Sequence, residues 1–159
     1  MKNILIITLL ILGVNHFFIN DPLKSNFYFN GKKFDHVDKI SGGEITNHFY
    51  TPNGNELNES YSFIQIIEFK KETEKSNWPL LLNPLFQRYK LTPLTQDELS
   101  LIGNTEKSGL FFNSYGTPIS INNKDHMAFY LLASENKLTT ETKSEKHAVI
   151  ENLRNIVFN

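Results

Sequence analysis

His36, Asp38 and His48 are the residues of this chain whose types and spacing come nearest to metal chemistry. Two neutral imidazoles and a carboxylate suit a divalent ion such as zinc, provided strand pairing brings them to one face. The intervening turn decides that. If Ser41-Gly42-Gly43 closes as a three-residue turn, His36 stands opposite His48 and Asp38 opposite Thr46, all on one sheet face. If the turn holds two residues, a slip of one position sends the histidines to opposite faces. The plainer reading is two ordinary strand histidines on a stripe that also carries Phe34, Ile40 and Tyr50.

Other chemistries find less support. No Gly-x-Ser-x-Gly elbow presents a serine nucleophile. Asp125-His126 lies at a turn and reads as a solvated pair. Glu56 and Glu59 sit one helical turn apart, whereas a glycosidase dyad faces across a cleft. Gly42-Gly43 precedes a strand, not a helix, so it forms no phosphate cradle. Asn58-Glu59-Ser60 is a glycosylation sequon, meaningful only in a eukaryotic secretory route. We therefore expect no catalytic residue and no cofactor.

Trp78 is the only tryptophan, and it opens the apolar run Trp78-Pro79-Leu80-Leu81-Leu82-Asn83-Pro84-Leu85-Phe86. The bland reading is a segment that caps the sheet. The sharper one is an exposed loop in which Trp78, Leu81 and Phe86 dock a protein partner, since tryptophan anchors dominate interfaces.

The address of the chain is written at its start. Lys2 leads into the apolar run Ile4–Val14, the layout of a bacterial export signal. That run is too short for an ordinary membrane span of about 20 apolar residues. Asn15 and His16 interrupt it before Phe17-Phe18-Ile19 resumes. Residues 1–20 are expected to be a signal peptide cleaved between Val14 and Ser25, with an uncleaved inner-membrane anchor as second choice. Absence of cysteine excludes disulfides and a lipid-carrying cysteine. Thirteen phenylalanines supply a core instead. A formal net charge of −1, with acids and bases intermixed, argues against nucleic acid and anionic membrane as partners.

Residues 21–159 are expected to form a single α+β domain. Asn30-Gly31 between aromatic strands predicts a type I′ hairpin with Phe27 opposite Phe34. Strands follow near Phe34–Ile40, Glu44–Thr51 and Tyr61–Phe69, with Pro52-Asn53-Gly54-Asn55 as turn chemistry. Lys70 to Asn77 is a charged connector. Asn83-Pro84 predicts a helix start with Asn83 as its cap, running to about Lys90. Thr95-Gln96-Asp97-Glu98 matches a capping box for a second helix ending at Gly103. Strands return at Leu110–Tyr115, Ile119–Ile121 and His126–Ala133, separated by Gly116-Thr117-Pro118 and Asn122–Asp125. Met127–Ala133 is apolar on both faces, so it belongs inside the sheet. Glu135–Glu145 reads as a solvated connector. Thr142–Glu145 is a further capping box, opening a last helix over Lys143–Ile156 with Val149, Ile150, Leu153 and Ile156 on one side. The sum is an antiparallel sheet of meanders, short helices packed to one side, and a C-terminal helix.

The succession Phe49-Tyr50-Thr51-Pro52-Asn53-Gly54-Asn55-Glu56-Leu57, a polar stretch and the strand Phe63–Ile67 resembles small exported proteins of Gram-negative bacteria. They carry a Tyr-x-Pro-x-Gly-x-x-Leu element, many are uncharacterised, and some look like immunity partners of antibacterial effectors. Tyr61 stands where a tryptophan is expected. The resemblance implies a periplasmic or secreted protein-binding domain of the immunity type, and no functional residue carries over from it. The alternatives are a small periplasmic hydrolase or carbohydrate-active enzyme, and a membrane-anchored envelope protein of structural role.

Overall fold

A computed structural model describes residues 21–71, 73–94, 99–107, 110–134 and 143–159. The N-terminal apolar run, the Thr95–Glu98 box, Thr142 and most of Glu135–Glu145 lie outside the described residues. Among the described residues eight strands form one antiparallel sheet: β1 (Phe27–Phe29), β2 (Lys32–Gly42), β3 (Ile45–Pro52), β4 (Ser62–Phe69), β5 (Thr92–Pro93), β6 (Leu101–Lys107), β7 (Leu110–Ile121) and β8 (Lys124–Ser134). Their spatial order is β1-β2-β3-β4-β8-β7-β6-β5. The expected α+β class with an antiparallel sheet is what the chain forms. Two short helices, α1 (Trp78–Leu81) and α2 (Asn83–Tyr89), interrupt the strands, and α3 (Lys143–Arg154) follows them.

The sheet curls, and each face buries its own core. On the inner face Phe27, Phe34, Tyr50, Ile64, Ile66 and Ala128 pack with Ile150 and Leu153 of α3. Val149 and Ile156 flank them, as the helical spacing predicts. Curling brings β1 across to β8, where the Phe29 and Tyr130 rings lie 4.8 Å apart. Phe158, beyond α3, bridges to Phe27 and closes the β1 edge. On the outer face Trp78 and Leu82 pack on Ile67, Met127, Phe129 and Leu131, with Leu85, Phe86 and Tyr89 beside them.

Turn chemistry sets much of the register. Asn30 and Gly31 have φ of 50° and 73°, the left-handed pair that type I′ needs, and Phe27 pairs with Phe34. Asn122 and Asn123, at 50° and 61°, do the same between β7 and β8. Strand β8 lies between β4 and β7, the interior position its apolar faces predict.

Three local expectations are corrected. Gly116-Thr117-Pro118 is no turn: β7 runs unbroken from Leu110 to Ile121. Strand β6 ends opposite Gly116, so Pro118 lies where that side of β7 has no pairing strand among the described residues, and its missing N–H costs no ladder bond. Leu101–Lys107 is strand, not the end of a helix, because pairing along β7 overrides the local signal. Asn83 does not cap α2. The chain arrives already helical from α1, with Leu82 N–H donating to the Trp78 carbonyl at 2.8 Å, so there is no open turn to cap.

Candidate functional site

The turn between β2 and β3 is the two-residue kind, Gly43-Glu44, with Gly42 paired to Ile45. By parity alone it would put His36 and His48 on opposite faces. A bulge at Val37 cancels the slip: Asp38 pairs with Phe49, while His36 pairs with Tyr50. The two imidazoles therefore share the inner face, ring centroids 5.6 Å apart. The same bulge leaves Asp38 on the outer face with Phe49, exposed, its carboxylate accepting from the Lys39 N–H at 2.7 Å. The expected His36–Asp38–His48 triad is thus not assembled. Among the described residues no three His, Asp or Glu side chains converge to hold a metal ion.

His48 is fully buried, and among the described residues neither of its ring nitrogens has a hydrogen-bond partner. Glu68 approaches it, with Oε2 3.6 Å from Nε2. Nε2 of half-buried His36 is likewise buried and unpartnered. Tyr50 packs edge-on to His36 at 5.3 Å and donates its hydroxyl to the Leu23 carbonyl at 2.5 Å. Burial pushes the tyrosine pKa up. It pushes both histidines down. Lys39, opposite His48 in register, lowers them further, against the pull of Glu68 on His48 and of Asp21 and Asp38 on His36. Burial therefore favours the neutral form of both rings.

His126, opposite Glu68 in register, is also buried and lowered by burial. Its Nδ1 lies 3.0 Å from the Lys124 carbonyl. The adjacent Asp125 is half-exposed and pairs with Lys75 at 3.0 Å, so the solvated pair expected at Asp125-His126 is corrected for His126 alone, by its burial. Glu56 and Glu59 line different hollows.

Trp78 is placed in the outer core and is 1% exposed. Its ring stacks on Phe69 at 4.5 Å, and its Nε1–H donates to the Thr73 carbonyl at 3.1 Å. This is the sheet-capping role; the exposed anchor expected of Trp78 is corrected by its burial. Leu81 and Phe86 are half-buried, Phe86 in the same cluster, and Leu80 is the member turned to solvent.

Sequence reasoning missed an apolar groove on the outer face, about 460 Å³ in volume. One wall is the loop Leu57–Tyr61. The floor is Phe63 of β4, Phe112 of β7 and Leu131 of β8, with Asn58, Glu59 and Ser60 at the rim. Tyr61 is 60% exposed. The Tyr61 carbonyl accepts from the Ala133 N–H at 2.6 Å, which fixes the loop against β8. Only Tyr61 carried a signal in the sequence. Phe63, Phe112 and Leu131 meet through pairings between distant strands. No family model, no curated protein and no solved structure matches this chain.

Proposed function

We propose that this protein is an exported binding domain that receives an apolar side chain of a protein partner in the groove beside Tyr61. The observation that carries the reading is aromatic surface that none of the described residues covers, next to a filled core. Phe63 and Phe112 form a floor, Tyr61 stands at its edge, and polar rim residues surround it. Such a concave apolar centre with a polar rim is the anatomy of an interface hot spot. The partner we favour is a toxin of the same compartment, which makes the domain an immunity-type inhibitor. The export-like N-terminal run and the resemblance around Tyr50–Leu57 support that choice.

The test is capture of partners from the cell envelope by the exported form, compared with Tyr61→Ala. Tyr61 is mostly exposed, so its truncation leaves the fold intact. The reading expects one stoichiometric protein whose capture falls by about tenfold or more in the variant, the size of a hot-spot loss. A partner held equally well by both forms would place the interface elsewhere. No partner at all would remove the reading.

A further inference from the structure

The histidine pair has no part in the groove, which lies on the other face of the sheet. Buried polar atoms in folded proteins nearly always find partners, yet among the described residues His36 Nε2 and His48 Nδ1 have none and His48 Nε2 has only the 3.6 Å approach of Glu68, which calls for an explanation. Their position supplies one. Strand β1 pairs with β2 only at Lys32, Lys33 and Phe34. Beyond Phe34, β2 is held by β3 alone among the described residues. Its outer half, Asp38–Gly42, is exposed throughout. The bulge at Val37 separates this half from the rest, and the pair His36–His48 lies at that break.

We propose that His36 and His48 form an acid-responsive latch, in which protonation of the pair releases the outer half of β2 from β3. At neutral pH the two rings pack against each other, and His36 packs against Tyr50. A proton on His48 meets Glu68 on β4, at 3.6 Å, but also Lys39 across the register. A second proton, on His36, adds a like charge to a ring 5.6 Å away. Asp21 and Asp38 draw that proton in, and Lys24 and Lys39 oppose it. His126, on β8 beyond Glu68, competes for the same carboxylate. Moving the outer half of β2 away hydrates both rings and takes Lys39 with it.

The direction in pH is fixed. Both histidines titrate below the ordinary value of 6.5 in the closed form. An opened strand returns them towards 6.5, so below that pH the open form binds more protons and gains population. Acid opens the latch and base closes it.

Hydrogen exchange, corrected for the intrinsic effect of pH and read segment by segment, tests this between about pH 8 and about pH 5, where histidine changes charge. Amides of Asp38–Gly42 and their partners in β3 should lose about tenfold or more in protection, as a local opening does, while β7 and β8 keep theirs. The double variant His36→Gln, His48→Leu should hold its protection across the range. Two exposed or partly exposed changes check the same device without touching the rings. Glu68→Gln removes the favourable partner and should move the opening to higher pH. Lys39→Gln removes the opposing charge and should move it to lower pH. Unchanged protection in the native chain overturns the proposal. So does simultaneous loss in β7–β8, or an opening pH that neither single change moves.

Discussion

Hairpin β7–β8 keeps one register over eleven residue pairs, from Phe111 opposite Ser134 to Ile121 opposite Lys124, whereas hairpin β2–β3 slips after three pairs, at Val37. Both have long strands and both close through two residues. The difference lies in what flanks them. Strand β4 pairs along β8, and β6 pairs along β7 as far as Gly116. Among the described residues, strand β2 has a neighbouring strand on its far side only where β1 reaches it. A flanked hairpin must keep its parity, because a slip would turn every core residue outward. An edge can carry a bulge, and here the bulge and the exposed Asp38 and Lys39 also protect it from pairing with another chain. The histidines sit where the sheet tolerates irregularity.

The comparison breaks most sharply under core truncation. Phe129 of β8 is fully buried. Phe129→Ala should cost about 3–5 kcal/mol by urea denaturation, the range for loss of a buried aromatic. Ile40 of β2 is 53% exposed. Ile40→Ala should stay within about 0.5 kcal/mol, as surface changes do. Comparable costs at the two sites would mean that the outer half of β2 is packed against something and is no loose edge.

A smaller effect separates the hairpins by space alone. A Cβ on Gly116 of β7 would come within 2.5 Å and 2.7 Å of two Phe129 ring atoms and 3.2 Å of the Met127 methyl. The ring covers the glycine, a device that shields a bare stretch of strand backbone. Gly116→Ala should therefore cost about 1–3 kcal/mol, the range for overpacking. The cost should shrink when Phe129 is also reduced to Leu, since contacting sites couple.

These contrasts mark how far the sequence reads. Asn30-Gly31 announces its hairpin and its register, because a type I′ turn leaves few residue choices. The C-terminal helix announces its buried side through Ile150 and Leu153. Val37 announces nothing: a bulge changes parity without needing an unusual residue. The turn length and the bulge each shift the pairing by one, and the two shifts cancel. His36 and His48 therefore meet although the two-residue turn alone would part them. Gly116 and Pro118 read as a turn because their strand context, Phe129 above one and the end of β6 beside the other, is set by residues far away in the chain. The groove is hidden for the same reason. Its floor is drawn from three strands, and neither Phe63 nor Phe112 carries a local mark of the other.

The smallest contrast lies within a single turn. Gly42 and Gly43 are adjacent, and neither has any atom within 4 Å of the place a Cβ would take. Space therefore cannot distinguish them. Gly43 has φ of +53°, and Gly42 lies outside the left-handed region. Glycine at the first central position, followed by a residue of negative φ, fits the type II′ pattern, which matches the twist of the strands it joins. Gly43→Ala should cost about 1 kcal/mol, the penalty of placing an L side chain in that region. Gly42→Ala should be neutral or stabilise by up to about 1 kcal/mol, because it restricts only the unfolded chain. Because the turn anchors the outer half of β2, Gly43→Ala should also raise exchange in Asp38–Gly42 at neutral pH, and leave β7–β8 unchanged. Equal responses at the two glycines would mean that the chain reverses at a three-residue turn. In that case the bulge at Val37 would have no slip left to cancel, and the histidines would part.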